Sequence, residues 1–496
     1  MAFTLGIDIG TYQTKGVLVD EAGKAIARAE RDHEMIVPRP GWAEHRAEED
    51  WWGDFVAVAR AILAEARIDP AGIRAVACSA IGPCMLPVDT EGRPLANGAL
   101  YGVDTRAQAE IDELNARIGE DLILDRCGNA LTSQAVGPKI LWLKNRRPEL
   151  HDRAAKILTS TSYLVWKLTG EYAIDHYTAS GFAPLYDMDR QTWTDELAPD
   201  ILPLDKLPRL FWSSEIVGEI GPAAAAETGL APGTPVTAGT IDAAAEAISV
   251  GARTQDDMMM MYGSTIFMIA PTDTRVHDPR LWSAPWLFPG RHAAMAGLAT
   301  SGTLTRWFRD RFARELGEDE AFGILAEEAA SSPKGARGLL FLPYFSGERT
   351  PIHDPDAKGC LFGLNLTHSR GDLYRALIEG IAYGANHAIE AYAEIGLRPE
   401  RLLAVGGGTR NRLWLQAISD VSGLDQIVRA NAAGASYGDA FLAALAIGAA
   451  APDDIVQWNP VAEHVVAERD PAYDRNYALF RRLYEQTKDI AVELKQ

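Results

Sequence analysis

A short segment near the N-terminus combines the chemical groups that bind phosphate. An apolar strand holds one carboxylate, Asp8, and the loop after it supplies a flexible backbone, two hydroxyls and an ammonium: Gly10, Thr11, Thr14 and Lys15. Burying a lone carboxylate is costly unless a cation or a hydrogen-bonding partner meets it. Backbone N–H groups, hydroxyls and an ammonium together suit phosphate oxygens. The segment therefore predicts a phosphate loop at the tip of a β-hairpin, with Asp8 either holding Mg²⁺ or bonding the turn.

A second acidic residue, Asp242, follows a strand at the start of an alanine-rich helix. A carboxylate in this place can accept a proton from a substrate hydroxyl and so act as a general base. Aspartate is also a favoured residue for capping a helix N-terminus, and the local sequence alone favours that simpler interpretation.

Two further glycine-containing turns lie in the second half of the chain. The first carries two hydroxyls after its glycine: Gly263, Ser264 and Thr265. It predicts either a second phosphate loop or an ordinary hairpin turn. The second turn is a run of three glycines after a strand: Gly406, Gly407 and Gly408. Such a run lets a flat base approach the backbone, although a tight strand-to-helix turn already explains two of the three glycines.

Composition limits the class of protein. The 496 residues exceed what one hydrophobic core usually supports, so two or more domains are expected. A net charge of −20 argues against nucleic acid or an anionic membrane as a partner. The four cysteines form no CxxC pair and the first residues lack a signal-peptide pattern, so we expect a cytoplasmic protein. The longest run of small apolar residues, 432–451, predicts a packed helix rather than a membrane span.

Strands and helices alternate along the chain, which favours α/β layers over a helical bundle or a β-sandwich. Asp50 is predicted to cap the helix that ends at Ala66. A second cycle of the same pattern begins near Thr237 and predicts two similar halves that hold phosphate between them, although their sequences are only faintly alike. Besides a strand over 73–79, helices are predicted over residues 105–117, 139–145, 160–168, 222–228 and 371–396.

Taken together, these segments resemble the FGGY family of carbohydrate kinases, which includes enzymes for xylulose, glycerol, gluconate and ribulose. The resemblance extends over nearly the whole chain and rests on the combination of motifs rather than on any one of them. It includes these further segments: Gly41-Trp42-Ala43-Glu44, Leu168-Thr169-Gly170-Glu171, Phe341-Leu342-Pro343-Tyr344, Ser346-Gly347-Glu348-Arg349-Thr350-Pro351 and Glu379-Gly380-Ile381-Ala382-Tyr383.

The resemblance implies an α/β, actin-like ATPase (ribonuclease H-like) fold with two duplicated domains around a cleft. Residues 1–245 would bind the sugar and carry the first phosphate loop, and residues 246–496 would bind ATP. Asp242 is implied as the base that deprotonates the acceptor hydroxyl and Asp8 as the Mg²⁺-associated carboxylate, both being candidate metal residues. The residues implied for ATP are Gly10, Thr11, Thr14, Lys15, Gly263, Ser264, Thr265, Gly302, Arg306, Gly406, Gly407 and Asn411.

The substrate pocket is the region that departs from the family. Residues 81–84 read Ile-Gly-Pro-Cys where the xylulose enzymes carry Gln-Met-His-Gly and the glycerol enzymes carry Gln-Arg-Glu-Thr. Ala243 stands where those enzymes often place an amide after the base. Other side chains must therefore satisfy the hydroxyls of a bound sugar. The positions implied for the substrate besides Asp242 are Gly82, Pro83, Asp104, Arg106 and Gln134.

The function implied by the resemblance is the ATP- and Mg²⁺-dependent phosphorylation of a primary hydroxyl of a small sugar or polyol, with the layout of the xylulose enzymes. Acceptors such as ribulose, a tetritol, gluconate or glycerol remain alternatives. So do an actin- or chaperone-like ATPase and a sugar-binding regulator that has lost catalysis. A base at Asp242 favours the kinase, because an ATPase that acts by conformational change needs no base facing a sugar. A homodimer is compatible with the sequence, whereas nucleic acid and membrane are not expected as partners.

Overall fold

The computed structural model describes residues 2–431 and 433–494. Within these residues, two seven-stranded sheets form the framework of two lobes. The first lobe contains the first sheet, whose strands lie in the order Ile216–Glu219, Pro235–Thr237, Ile73–Ala80, Phe3–Ile9, Gln13–Asp20 and Ala25–Asp32, with Thr240–Ile241 beside Ile73–Ala80.

The second sheet repeats the topology of the first. In each sheet a central strand, Phe3–Ile9 or Asp257–Tyr262, pairs antiparallel with the next strand and parallel with a later one. The strand order in the second lobe is Trp282–Pro285, His292–Leu298, Ile266–Thr272, Asp257–Tyr262, Arg401–Val405, Asp425–Arg429 and Val461–Val465. The predicted α/β architecture with two duplicated halves is confirmed.

Shorter strands form two-stranded ribbons around these sheets. Their pairs are Glu44–His45 with Gly98–Ala99, Leu86–Val88 with Lys156–Leu158, Ala173–Asp175 with Arg209–Phe211, Tyr186–Asp187 with Thr192–Trp193, and Leu340–Leu342 with Cys360–Phe362.

The α-helices lie close to their predicted positions. Their bounds are Asp54–Ala66, Gln108–Ile118, Glu120–Cys127, Val136–Arg146, Pro148–Arg153, Ser160–Thr169, His176–Ala179, Pro222–Thr228, Asp242–Ser249, Gly302–Phe312, Glu318–Ala330, Arg370–Glu394, Arg412–Ser422, Ala435–Ala446, Ile455–Trp458 and Pro471–Glu493. In the described part of the chain, no helix is both long and apolar enough to cross a membrane.

The entry into the first helix differs from the prediction. Residues Ala47–Gly53 form a π-helical turn that runs directly into the helix Asp54–Ala66. Asp50 therefore lies inside a continuous helical segment and is not the N-cap residue of the helix Asp54–Ala66. Its carboxylate accepts hydrogen bonds from the backbone N–H and the guanidinium of Arg46, at 2.7 Å each. The capping prediction was wrong because a cap needs free N–H groups, which exist only at the start of a helix.

Helix Ala435–Ala446 comes from the last part of the chain but packs on the first sheet. It lies against Phe3–Ile9, where a Cβ at Gly6 would be 1.9 Å from the carbonyl oxygen of Ser436. Every residue of that strand is buried. The run 432–451 thus contains a packed helix, as predicted, although Ala432 lies outside the described residues. The chain crosses from the first lobe to the second and returns.

Candidate active site

A cavity of about 250 Å³ opens between the two lobes. The first lobe contributes strand ends and turns, and the second contributes its hairpin, further strands of its sheet and the loop that carries Arg349. Residues of both lobes that meet there include Asp8, Pro83, Asp242, Thr265, Trp282 and Arg349. The site is therefore assembled from distant parts of the sequence.

Asp242 lies in this cavity as the first residue of helix Asp242–Ser249. The N-cap position belongs to Ile241, so the capping interpretation of Asp242 does not hold. Its Oδ1 accepts a hydrogen bond from the N–H of Ala243 at 2.7 Å. Burial, together with the negative charge of Glu246, raises the pKa of Asp242 to about 7. A carboxylate with such a pKa can take up a proton near neutral pH.

Glu246 lies one helical turn after Asp242 and lines the same cavity. Its carboxylate accepts a hydrogen bond from the N–H of Ala435, the first residue of the returning helix. Burial raises the pKa of Glu246, and the positive charge of Lys15 opposes that rise. Sequence analysis missed this residue. The available signal was its spacing, because residues four apart share one face of a helix.

A buried hydroxyl joins Asp8 to a carboxyl group that sequence analysis also missed. The Ser79 Oγ lies 3.0 Å from Asp8 Oδ1 and 2.7 Å from Asp439 Oδ2. A serine hydroxyl can donate only one hydrogen bond, so one of the two carboxyls must carry a proton and donate to it. Burial raises the pKa of both carboxyls well above the usual range, and the negative charge of Asp8 raises the pKa of Asp439 further.

The first predicted phosphate loop is the tip of a β-hairpin, as expected. Gly10 closes the tip by donating its N–H to the Gln13 carbonyl at 2.9 Å. Lys15 is exposed, and its charge lowers the pKa of Asp8. Thr14 is buried, and its hydroxyl donates to Asp54 Oδ2 at 3.1 Å. The structure therefore directs the Thr14 hydroxyl into the first lobe rather than toward a phosphate.

Thr11 belongs to the same tip and is partly buried. Its carbonyl oxygen lies 3.0 Å from the Nε2 of His45. Burial lowers the pKa of His45 to about 4, so this imidazole is neutral at physiological pH. The neutral ring donates its Nε2–H to the carbonyl and accepts at Nδ1 from the indole N–H of Trp51 at 3.1 Å. The hydrogen bond from His45 therefore holds the backbone of the loop at Thr11 in place.

The second predicted phosphate loop meets the helix Gly302–Phe312. The N–H of Gly302 donates to the carbonyl of Gly263 at 3.1 Å, and the N–H of Ser301 donates to that of Ser264 at 3.0 Å. Thr265 lines the cavity between the lobes. Four of the positions predicted for ATP, Gly263, Ser264, Thr265 and Gly302, therefore lie next to one another.

The glycine turn lies beside this loop because its strand pairs with Asp257–Tyr262. Gly406 has a φ of 95°, and a Cβ there would be 2.7 Å from the Tyr262 carbonyl oxygen. A Cβ at Gly407 would meet nothing within 4 Å, so this residue faces open space. Asn411 caps the next helix by accepting from the Trp414 N–H at 3.2 Å.

Arg306, the remaining position predicted for ATP, is exposed on helix Gly302–Phe312. It lies on the second turn of that helix, whose start is bonded to the second phosphate loop. The second lobe therefore gathers the hairpin loop, this helix and the glycine turn around one side of the cleft.

The positions predicted for the substrate separate into two groups. Gly82, Pro83 and Gln134 line the cavity with Asp242. Asp104 and Arg106 do not line it and form a buried ion pair with an Nη2–Oδ2 distance of 2.6 Å. A second ion pair and two aromatic faces complete the surroundings of this guanidinium: Glu44 at 2.8 Å, Trp42 at 3.9 Å and Trp142 at 5.0 Å. These partners hold both side chains in the interior of the first lobe.

The carboxylates of the cavity are the groups there that could bind a metal ion. Within residues 2–431 and 433–494, no three His, Cys, Asp or Glu side chains are grouped as ligands of a metal ion. Asp8 and Asp242 are close enough for the charge of Asp242 to raise the pKa of Asp8. Glu246 also lines the cavity, and Asp8 and Asp242 are the two of its carboxylates that were predicted as metal residues.

Known proteins resemble the chain over its full length. The xylulose kinase of Escherichia coli strain K12 is 30% identical, covering 97% of this chain and 98% of its own. The xylulose kinase of Bacillus subtilis is 28% identical over 100% of this chain and 99% of its own. The solved structure of xylulose kinase from Rhodospirillum rubrum, 31% identical, superposes with a TM-score of 0.91 over 99% of each chain. These matches confirm the actin-like architecture.

Family models cover most of the sequence. The N-terminal domain model of the FGGY family of carbohydrate kinases matches residues 3–249, and the C-terminal domain model matches residues 258–447. The matched regions contain the two phosphate loops, the aspartate of the cavity and the glycine turn described above. The chain therefore belongs to the FGGY family of carbohydrate kinases.

Proposed function

We propose that this carbohydrate kinase transfers the γ-phosphoryl group of ATP to a primary hydroxyl of xylulose or a closely similar small sugar or polyol, with Asp242 as general base. The observation that carries the proposal is the buried carboxylate of Asp242 in the cavity between the lobes, with its pKa raised to about 7. The names of the full-length relatives, xylulose kinases, support xylulose as the first acceptor to test.

The reaction needs a base and a polar surface for the phosphates. The acceptor oxygen attacks the terminal phosphorus and its proton passes to Asp242, while ADP leaves with the bridging oxygen. Transfer of a phosphoryl group depends mainly on positioning and on neutralising charge, so the protein needs no covalent intermediate. The two lobes supply both requirements, since Asp242 belongs to the first and Thr265 to the second.

The cavity also suits Mg²⁺. This ion usually binds one or two carboxylates together with substrate phosphates and water, rather than a complete protein cage. Asp8 and Asp242 offer hard oxygen donors of that number in the cavity. We propose that Asp8, with Asp242 nearby, holds the Mg²⁺ of Mg–ATP. When bound, the ion would neutralise phosphate charge.

We propose that the two lobes bind different substrates, with the division at the predicted boundary between residues 245 and 246. The acceptor would bind mainly to the first lobe, through Gln134 and Asp242. The nucleotide would bind to the second, on the surface formed by the loop of Gly263, the helix of Gly302 and the glycine turn. The hydrogen bonds between that loop and that helix support this assignment.

The polar groups of the cavity determine which acceptor molecules can bind. Gln134, Thr132 and Ser180 line it and can exchange hydrogen bonds with several hydroxyls. Gly82 and Pro83 offer no side-chain donor at the positions where family members often have one. A site built this way favours an acceptor with hydroxyls spread along its chain over glycerol, because unpaired polar groups in a pocket cost binding energy.

We also propose that the enzyme works in the cytoplasm, where ATP is made. Its four cysteines are unpaired, which supports a reducing compartment. The net charge of −20 supports the prediction that nucleic acid is not a partner. A homodimer stays a prediction.

An ADP-release assay across pentuloses, pentitols, tetritols, glycerol and gluconate tests the function. We expect xylulose or a close analogue to give the highest kcat/KM. Asp242→Ala should lower kcat by about 10²- to 10⁴-fold, the usual contribution of a general base, with ATP affinity unchanged in a binding assay. The matched control Asp489→Ala removes an exposed carboxylate of the last helix. Acceptor-dependent turnover retained in Asp242→Ala would refute the assignment of the base.

A further inference from the structure

Arg349 of the second lobe reaches the acceptor cavity. Among the residues that line the cavity it is the basic one, opposite the acidic Asp8, Asp242 and Glu246. Its positive charge opposes the rise in the pKa of Tyr101, a first-lobe residue of the same cavity. The guanidinium therefore lies close to the first lobe although its backbone belongs to the second.

The guanidinium of Arg349 is available for a ligand to contact. Within the part of the chain that the structure describes, its side chain makes no ion pair or hydrogen bond, and the residue is only half-buried. Arg106 of the first lobe differs, since its guanidinium is paired with Asp104 and Glu44. A guanidinium carries five N–H donors, so this one is available to a ligand in the cavity.

Hydrogen bonds to a neighbouring strand fix the backbone of Arg349. The N–H of Thr350 donates to the carbonyl of Gly297 at 3.1 Å. The buried carboxylate of Glu348 accepts through Oε1 from two N–H groups, those of Arg349 at 2.7 Å and Ala299 at 2.6 Å. Ala299 lies directly before the segment that begins the nucleotide-side helix. One carboxylate thus joins the acceptor cavity to the nucleotide side of the second lobe.

We propose that Arg349 recognises the acceptor from the second lobe by donating hydrogen bonds to one of its oxygens, and that Glu348 is a positioning residue that holds Arg349 for this contact. The inference rests on the proposed kinase function. The reacting hydroxyl would donate to Asp242 while another oxygen of the same molecule accepts from Arg349. An acceptor held at both points bridges the lobes, so its binding favours their closed arrangement around the nucleotide.

The acceptor KM of Arg349→Gln tests the role of the guanidinium. Losing a hydrogen bond from a charged donor should raise this KM about 10- to 100-fold, with the KM for ATP changed less than twofold. Arg349→Lys should give an intermediate value, because lysine keeps the charge but lacks the planar fork. Arg398→Gln removes an exposed charge from the same lobe and serves as the matched control. An unchanged acceptor KM in Arg349→Gln would overturn the inference.

Two variants of Glu348 test the positioning role. Glu348→Gln keeps an oxygen that accepts from both N–H groups, so its acceptor KM should stay within threefold of wild type. Glu348→Ala should raise the KM for both acceptor and ATP, because the N–H groups of Arg349 and Ala299 are released together. Equal effects of the two variants on stability alone, with both KM values unchanged, would refute the positioning role. A wild-type enzyme inactive toward every acceptor would instead refute the proposed function itself.

Discussion

At the scale of single residues, the chemistry of the site depends on how Asp242 is surrounded. The same burial that prepares it to accept a proton also brings three more acidic groups into its neighbourhood: Asp8 on the first strand, Glu246 on its own helix and Asp439 on the returning helix. Lys15 is the positive charge that acts on Asp8 and Glu246. Like charges near a carboxylate favour its protonated form. The pKa of about 7 for Asp242 follows from burial and from the negative charge of Glu246.

A pH profile tests this account of the base. Asp242 must be ionised to accept the proton, so kcat should fall as the pH drops below about 7. Glu246→Gln removes a negative neighbour and keeps an oxygen that accepts from the Ala435 N–H. The pKa of Asp242 should then decrease, and the acidic limb of the profile should move to lower pH. We expect this in kcat measured from about pH 5 to pH 9 with saturating substrates.

Glu65→Gln is the control for that profile, because Glu65 is exposed on helix Asp54–Ala66 and far from the cavity lining. Its acidic limb should coincide with that of the wild-type enzyme. The same limb in Glu246→Gln as in wild type would show that Glu246 does not set the pKa of the base.

At the scale of elements, two glycines in helices differ in the space that is available for a side chain. Gly438 of the returning helix packs on the helix Asp242–Ser249, where a Cβ would be 1.9 Å from the carbonyl oxygen of Ala245. Gly323, within Glu318–Ala330, has nothing within 4 Å of such a Cβ. The two helices that connect the lobes can therefore approach closely only because position 438 has no side chain.

Alanine at each position should change stability in opposite directions. Gly438→Ala should lower the free energy of unfolding by about 1–3 kcal/mol, because the added methyl forces the two helices apart. Gly323→Ala should raise it by about 0.5–1 kcal/mol, because alanine favours a helix and meets no neighbour. Urea denaturation of the two variants and the wild type measures both effects. A neutral Gly438→Ala would mean that the helices do not pack as tightly as the structure indicates.

The elements also show what the sequence could predict. Phe3–Ile9 and Asp257–Tyr262 were identified because each is an apolar strand that runs into a glycine and hydroxyls, a purely local pattern. Asp50 was misjudged as a helix cap because a π-helical turn before the helix leaves no local signature of its own. Asp439 was missed for a different reason. Its partner Ser79 is 360 positions away in the sequence, and the contact exists only after the last helix returns to the first sheet.

Local sequence patterns likewise predicted only part of the candidate site. Asp242 and the two hydroxyl loops carry patterns that can be read within a few residues, and Asp242 and Thr265 line the cavity between the lobes. The family resemblance implied Asp104 and Arg106 for the substrate, yet the two side chains pair with each other inside the first lobe, where two tryptophans cover the guanidinium. Whether a polar pair faces a ligand or each other depends on packing that spacing alone does not describe.

At the scale of the whole molecule, the two lobes are less separate than a boundary after residue 245 suggests. That boundary stays a prediction, but helix Ala435–Ala446 lies beyond it and covers the strand Phe3–Ile9 of the first sheet. Most of this helix is buried, including Tyr437 and Phe441. Tyr437 donates its hydroxyl to the Gly23 carbonyl at 2.6 Å, which ties the end of the chain to the first hairpin. The first lobe therefore obtains part of its core from the second half of the sequence.

Separate expression of the two halves tests this dependence. Residues 2–250 alone would leave one face of the first sheet without its helix and would expose Val17, Val19 and Ala77 to water, a loss of buried apolar area that a marginally stable domain cannot absorb. We expect this fragment to aggregate or to melt without a cooperative transition, whereas co-expression with residues 251–496 should give a soluble, co-purifying pair. A full-length chain nicked in the exposed turn at residues 255–256 controls for the broken backbone and should stay folded. A first half that melts cooperatively by itself would show that the returning helix is dispensable, because the interactions within the first sheet would then suffice to hold the lobe together.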